Sequence, residues 1–124
     1  MLFRSDMSQN LSDKALAKSS QLLVVITTLP NLEVAQSLAR SLIEEKMAAC
    51  VQLTNGIQSI YRWEGKVCEE SEVLLTAKTT ANQWLAISSF IQKKHPYDLP
   101  EILAFTPEQY SEQYGAWVSS EVNS

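Results

Sequence analysis

The spacing of apolar residues predicts an alternation of strands and helices along this chain. Residues 21–29 are apolar and largely β-branched, which predicts a buried strand that ends before Pro30. Over residues 32–47 apolar positions recur at intervals of three and four, which predicts an amphipathic helix with Asn31 as its N-terminal cap. Residues 1–20 are rich in Ser, Asp, Lys and Asn, and we expect them to form a mobile extension.

A period of two follows this helix and predicts a long β-hairpin. Its strands run over residues 50–63 and 67–79, and Gly65 supplies the positive φ that the turn needs. Each strand has about 13 residues, against a usual length of about five or six, so the tip projects beyond the rest of the sheet. The second face of these strands offers further apolar and small residues, which predicts self-association.

Two turn lengths give this hairpin different registers. A two-residue turn at Glu64-Gly65 pairs Ile57 with Glu72. A three-residue turn pairs Ile57 with Val73 instead. Because the buried face decides the register, the pairing of apolar with apolar residues favours the three-residue turn or an equivalent bulge.

The remaining pattern predicts a helix, a short strand and a terminal helix. The second helix begins at Trp84 and ends at Lys93-Lys94-His95, before Pro96, and the strand covers residues 101–106. One face of the terminal helix carries Tyr110, Tyr114, Trp117 and Val118. The order β-α-β-β-α-β plus a C-terminal helix indicates an α+β, ferredoxin-like fold, in which an antiparallel sheet has two helices on one face. We predict a single domain of this kind over residues 21–124.

Composition and charge exclude several classes of function. The 124 residues include 10 basic and 14 acidic ones, and the net charge of −4 argues against nucleic acid or anionic lipid as a partner. No apolar run of the sequence approaches the roughly 20 residues of a membrane span. The start of the chain lacks the pattern of a secretory signal, so we expect a cytoplasmic protein. A nucleophile elbow, a phosphate loop and a dinucleotide fingerprint are all absent from the sequence, which argues against an enzyme.

A dense series of short motifs runs in order from about Leu22 to Trp117. The motifs are Ala48-Ala49-Cys50-Val51, Ser59-Ile60-Tyr61-Arg62-Trp63-Glu64-Gly65-Lys66, Glu72, Lys78-Thr79, His95-Pro96-Tyr97, Pro100-Glu101, Tyr114 and Trp117. In these motifs the sequence resembles the CutA divalent-cation tolerance family. The resemblance implies a tightly packed homotrimer of ferredoxin-like subunits, similar in architecture to the PII signalling proteins and associated with copper or another divalent cation. It implies no established reaction, and we expect no cofactor to be required for folding.

Cys50 and His95 are the candidate metal ligands of this sequence. The chain has one histidine and two cysteines, without the paired spacing of a typical metal motif. In the favoured register Cys50 lies opposite Thr80 and on the order of 40 Å from Cys68, so the two thiols cannot share a metal within one subunit. Copper-binding family members tend to have a cysteine late in the first strand, where this chain has Thr27. Each candidate also has a structural interpretation: Cys50 as a small buried residue, and His95 as a partner of helix-terminal carbonyls.

A cleft between subunits is the expected binding site, because the hairpin tip can reach a neighbouring chain. The cleft is expected to gather Tyr61, Trp63, Lys66, Glu72, Lys78 and Glu101 with His95. Tyr61 and Trp63 can equally be interpreted as anchors of the subunit interface. Three functions stay open at this point: a trimeric protein that binds divalent cations, a PII-like module that senses a small anionic ligand, and a structural trimer without a ligand.

Overall fold

The computed structural model of the protein describes residues 18–124, which form a four-stranded sheet with helices packed on it. The strands are β1 (Leu22–Leu29), β2 (Cys50–Trp63), β3 (Lys66–Thr80) and β4 (Ile102–Phe105), and the helices are α1 (Leu32–Glu44), α2 (Trp84–Lys94) and α3 (Glu112–Glu121). The strand order is β2-β3-β1-β4, and each neighbouring pair is antiparallel. The order of elements and strands confirms the predicted α+β, ferredoxin-like fold.

The core lies between one face of the sheet and the inner faces of α1 and α2. Alternate residues of β1 and β3 point to this side, as the period of two predicts, and they meet helix residues spaced by three and four. Burial of each large apolar side chain contributes roughly 1.5–3 kcal/mol relative to exposure. The fully buried members include Val25, Leu29, Leu42, Leu75, Ile87 and Ile91.

Helix α1 begins as the sequence predicts and ends earlier. The side chain of Asn31 accepts a hydrogen bond from the Val34 backbone N–H at 2.9 Å, which confirms the predicted cap. The apolar periodicity continues to Met47, but the helix itself ends at Glu44. Lys46 adopts a left-handed φ of 56°, which turns the chain away from the helix axis and toward β2.

The predicted mobile extension over residues 1–20 lies outside the described residues except for the last three positions, Lys18, Ser19 and Ser20. That interpretation therefore stays a prediction. Within residues 18–124, none of the helices combines the length and the apolar character that crossing a membrane requires.

The hairpin turn differs from the favoured prediction. Trp63 pairs with Lys66, so the turn consists of Glu64-Gly65 alone. The φ angles of these two residues are 51° and 77°, the left-handed pair of a type I′ turn. The three-residue turn is therefore wrong, and Ile57 pairs with Glu72.

A β-bulge changes the register in the middle of the hairpin. Thr54 pairs with Leu74 and Ile57 pairs with Glu72, so two residues of β2, Asn55 and Gly56, lie opposite one residue of β3. Gly56 has a φ of 75°, a conformation that glycine adopts without the steric cost of a Cβ atom. A bulge, the alternative to a longer turn that the apolar pattern allowed, is therefore present, and it joins two registers at this point.

Below the bulge, apolar residues are paired across the two strands. Leu53 pairs with Leu75 on the core side, so apolar residues of both strands reach the core without a longer turn. Cys50 pairs with Lys78, so the prediction that it lies opposite Thr80 is wrong by two residues.

The sheet face opposite α1 and α2, which we term the open face, is covered only at one end. Helix α3 packs there against β1 and β3, where Leu22 pairs with Thr80 and both residues are buried. Further along the open face, Leu103 and Phe105 of β4 are 47% and 53% exposed. A partly apolar surface therefore extends over the middle of the sheet.

Candidate functional site

A buried carboxylate marks the end of the open face that α3 does not cover. Glu72 of β3 is only 7% exposed, although a glutamate on an uncovered face of a sheet is normally exposed to solvent. Its Oε2 accepts a hydrogen bond from the Tyr97 hydroxyl at 2.8 Å. Burial, and then this hydrogen bond, raise the pKa of Tyr97, so the phenol keeps its proton and acts as the donor.

His95 holds Tyr97 in position. The backbone N–H of Tyr97 donates to His95 Nδ1 at 3.1 Å, and the two rings lie 4.8 Å apart. Because Nδ1 accepts, Nε2 carries the proton and donates to the Thr28 carbonyl at 2.7 Å. Both ring nitrogens are therefore occupied by hydrogen bonds, and His95 is buried with 8% exposure.

The bulge brings the hairpin side chains onto the same face as Glu72. It adds a residue to β2 alone, so beyond it Tyr61 pairs with Cys68 on the open face. Partial desolvation raises the pKa of Tyr61, and a hydrogen bond to the Glu70 carboxylate raises it further. We name Tyr61, Glu70, Glu72, His95 and Tyr97 together the tyrosine–carboxylate cluster.

Other residues predicted for the cleft lie outside this cluster within one chain. Trp63 and Lys66 form the pair next to the turn, six positions from Glu72 and roughly 20 Å along the strand. Lys78 lies equally far in the other direction, where its Nζ donates to Gln52 Oε1. Glu101 directly precedes β4, whose Ile102 pairs with Thr27, so it lies near the Thr28 carbonyl that binds His95.

The two candidate metal ligands lie at opposite ends of the open face. Cys50 pairs with Lys78, whereas His95 is bonded to Thr28, which pairs with Leu74. Four strand positions separate these two points, which corresponds to roughly 13 Å. Cys50 and His95 therefore do not form one metal site within a single chain.

Both cysteines are free and half-buried. The Cys50 thiol lies beside the Tyr114 hydroxyl, and burial, followed by this thiol, raises the pKa of Tyr114. Cys68 lies near the hairpin tip, where its Sγ is 4.0 Å from the Lys66 carbonyl. Thr27 is fully buried in the core, and its Oγ1 lacks a hydrogen-bond partner in the structure.

The chemistry of the tyrosine–carboxylate cluster favours a cation. It combines two carboxylates with two phenol hydroxyls, and the structure places no lysine or arginine against them in an ion pair within residues 18–124. Oxygen ligands of this kind suit hard divalent cations. Among the described residues, no group of three or more His, Cys, Asp and Glu side chains is arranged to hold a metal ion.

Comparison with known proteins assigns the family. The sequence model of the family described as CutA1 divalent ion tolerance protein matches residues 23–121. The chain belongs to this CutA1 family. The match begins within β1 and continues to the last residue of α3, so it includes every strand and helix of the sheet domain described above.

Relatives of known sequence support the same conclusion. The divalent-cation tolerance protein CutA of Thermus thermophilus is 41% identical over 95 residues, which cover 77% of this chain and 92% of that protein. The chloroplastic CutA protein of Arabidopsis thaliana is 38% identical over 104 residues, which cover 84% of this chain but only 57% of its own length.

Solved structures of CutA1 proteins share the fold of this chain. The Thermus thermophilus divalent cation tolerance protein superimposes with a TM-score of 0.80 at 38% identity, covering 82% of this chain and 99% of that one. The CutA1 of Oryza sativa gives the same TM-score at 37% identity, covering 85% and 98% of the two chains.

Sequence reasoning missed three residues of these sites. Tyr97 was part of a recognised CutA motif, but no role was assigned to it. Glu70 received no role from the sequence, because its hydrogen bond with Tyr61 depends on the hairpin register, in which Ser59 pairs with Glu70. Tyr114 was assigned to a helix face, and only the packing of α3 on the sheet reveals its position beside Cys50.

Proposed function

We propose that this CutA1 family chain binds divalent cations, with copper as one of them, as part of a homotrimer that confers tolerance to those ions. The proposal places it in the cytoplasm and assigns it no catalysed reaction. The observation that carries the proposal is the buried Glu72 carboxylate, which accepts a hydrogen bond from Tyr97 and forms no ion pair with any residue of the 18–124 range. A buried anion without a counter-charge is costly, and a bound cation would lower that cost.

The trimer is supported by surfaces that one chain leaves exposed. Strands β2 and β4 form the two edges of the sheet, and each pairs with a neighbour on one side only. Trp63 at the hairpin tip is 49% exposed, and the middle of the open face exposes Leu103 and Phe105. Contact with copies of the same chain would pair the free backbone groups of the edge strands and remove the exposed apolar side chains from water.

Cys50 and His95 enter the proposal as ligands that different chains contribute. They lie at opposite ends of the open face within one chain, so a shared metal requires a contact between subunits. For His95 it also requires the exchange of one of its two hydrogen bonds, since both ring nitrogens are engaged.

Calorimetric titration with Cu²⁺ and Zn²⁺ tests the site. Glu72→Gln keeps the shape of the side chain and removes its charge, and it should weaken cation binding at least tenfold. Glu69→Gln is the matched control, because Glu69 is on the same strand, is exposed and faces the other side of the hairpin. Equal affinities in the wild type and Glu72→Gln would exclude the tyrosine–carboxylate cluster as the site.

The same titration distinguishes the alternative functions. Binding of nucleotides but not of metal ions would favour a PII-like sensor of anionic ligands that uses Arg62, Lys66 and Lys78. If neither metal ions nor nucleotides give a heat signal on titration, a purely structural trimer would be favoured. Cys50→Ser, with Cys68→Ser as its control, tests the thiol: only the former should weaken copper binding on a confirmed trimer.

A further inference from the structure

The bulge of the long hairpin contains a chemically labile pair of residues, Asn55 and Gly56. It is the only Asn-Gly sequence in the chain, since the other two glycines follow a glutamate and a tyrosine. Asparagine is one of the thermolabile residues of proteins, because the backbone nitrogen of the next residue can attack its side-chain amide carbon. A glycine in the next position has no side chain to hinder that attack. The pair therefore combines a reactive amide with an unhindered nucleophile.

The structure leaves this pair accessible and outside the regular strand pairing. The pairing of β2 with β3 stops at Thr54 and resumes at Ile57, so Asn55 and Gly56 interrupt the ladder. Both residues are exposed to solvent. A Cβ atom placed on Gly56 would meet nothing within 4 Å, so the space beside this residue is open. The backbone at this point is therefore held by fewer contacts than the paired residues on either side.

The other asparagines of residues 18–124 are engaged by their surroundings. The Oδ1 of Asn31 caps α1, and the Oδ1 of Asn82 accepts a hydrogen bond from a threonine hydroxyl. The amide of Asn123 donates to the Glu45 carbonyl at 2.9 Å. None of these three precedes a glycine. Within this part of the chain, Asn55 is the asparagine whose side chain makes no hydrogen bond.

We infer that Asn55 is a site of spontaneous deamidation and isomerisation in the folded protein. The backbone nitrogen of Gly56 loses its proton to base and attacks Cγ of Asn55. The new C–N bond closes a succinimide ring, and the bond from Cγ to the amide nitrogen breaks and releases ammonia. Water then opens the ring, at the side-chain carbonyl to give aspartate or at the backbone carbonyl to give isoaspartate. This inference does not rest on the proposed function.

Both products alter the hairpin at the point where its register changes. Aspartate adds a negative charge close to Glu72, the partner of Ile57, on a strand that also carries Glu69 and Glu70. Isoaspartate routes the main chain through the side-chain carbons and lengthens it, which displaces the projecting half of β2 relative to β3. We therefore expect isoaspartate to lower the stability of the protein more than aspartate does.

Incubation of the full chain at alkaline pH, followed by peptide mapping with mass spectrometry, tests the inference. The peptide that contains Asn55 should gain the mass that distinguishes an acid from an amide, and an isoaspartyl methyltransferase should label it. Because the pair lies outside the ladder, the folded chain should react within about tenfold of the rate of the urea-unfolded chain. Asn31 and Asn82 are internal controls in the same digest, and both should remain amides.

Two variants separate the chemistry from its consequence. Asn55→Gln keeps an amide but forms the corresponding ring far more slowly, so it should show neither product and should keep its urea midpoint after incubation. Freshly prepared Asn55→Asp carries the charge of one product alone, and its urea midpoint should lie between those of the fresh and the incubated wild type. An intact Asn55 in the folded chain, under conditions that deamidate the unfolded chain, would overturn the inference. Deamidation of Asn31 at the same rate as Asn55 would also overturn it.

Discussion

The interaction between Tyr97 and Glu72 is the most informative contact at the scale of single residues. A carboxylate with 7% exposure loses most of its hydration, and the Tyr97 hydroxyl replaces part of it with one hydrogen bond. His95 fixes the backbone of Tyr97, so the imidazole acts on the carboxylate through the tyrosine. The carboxylate of Glu72 therefore depends on two neighbouring residues, His95 and Tyr97, that lie far from it in sequence.

Tyr97→Phe removes the hydroxyl that bonds to Glu72 and leaves the ring in place. We expect the free energy of unfolding to fall by about 1–3 kcal/mol, because a buried acceptor loses its partner. Urea denaturation at pH 7 and a fixed protein concentration measures this. Tyr110→Phe is a suitable control, since its hydroxyl accepts only a long hydrogen bond, and it should change stability by less.

The raised pKa of Tyr97 predicts a dependence of stability on alkaline pH. An unfolded tyrosine loses its proton near its ordinary pKa of 10.0, whereas Tyr97 in the folded protein keeps its proton to higher pH. Its contribution is therefore fully present below pH 10 and is lost as the pH rises from 10 toward the higher folded value. The stability difference between the wild type and Tyr97→Phe should be constant from pH 7 to 9 and shrink above pH 10. A constant difference up to pH 11 would contradict this assignment.

In the long hairpin, strand β2 changes which of its residues point to each face of the sheet. A constant register from the two-residue turn would continue to pair odd residues of β2 with even residues of β3. The bulge at Asn55 and Gly56 changes the pairing. Near the core, odd residues of β2 pair with odd residues of β3, whereas beyond the bulge odd residues of β2 pair with even residues of β3. Tyr61 joins Glu72 on the open face for this reason, while Leu53 stays in contact with the core.

Glu64→Asn should stabilise the hairpin. Glu64 has a φ of 51°, which costs a residue with a long side chain more than it costs asparagine. The Asn-Gly sequence favours a type I′ turn, so we expect the free energy of unfolding to rise by roughly 0.5–1 kcal/mol. Glu64→Gln is the control, because it removes the same charge. A lower thermal or urea midpoint for Glu64→Asn than for Glu64→Gln would argue against a type I′ turn.

Gly56→Ala tests the bulge in the opposite direction. A Cβ atom at this position meets no other atom within 4 Å, so the effect reports the backbone alone. The φ of 75° should then cost about 1–2 kcal/mol in unfolding free energy. Circular dichroism should show an unchanged fold, and stability equal to the wild type would indicate that the bulge is displaced easily.

At the scale of the whole molecule, the exposed hairpin and the partly covered sheet are surfaces for assembly. Trp63 lies next to the turn and has little of its own chain to contact. Trp63→Ala should weaken subunit association by about 2–4 kcal/mol, as the loss of an aromatic hot spot does. Sedimentation equilibrium should show three times the 13.9 kDa of one chain for the wild type and a mixture with lighter species for the variant. A wild-type protein that sediments as one chain at micromolar concentration would contradict the proposed trimer.

The sequence by itself determined the elements and their order. Apolar periods of two and of three to four reflect which side of a strand or helix meets the core, and this property is local to each segment. The cap at Asn31, the end of α2 at Lys94 and the ferredoxin-like order all followed from it. The resemblance of the motifs added the family, which the match over residues 23–121 confirms.

Only the tertiary structure decided the register of the hairpin and the composition of the candidate site. The apolar pattern favoured the three-residue turn or a bulge, and the structure combines a two-residue turn with a bulge, which shifts one half of the hairpin without any change in that pattern. The contact of Tyr97 with Glu72 and of Tyr114 with Cys50 joins residues 25 or more positions apart, through a loop and a terminal helix whose directions no local period encodes. Such contacts depend on how packed elements are placed relative to one another, which is a property of the folded core as a whole.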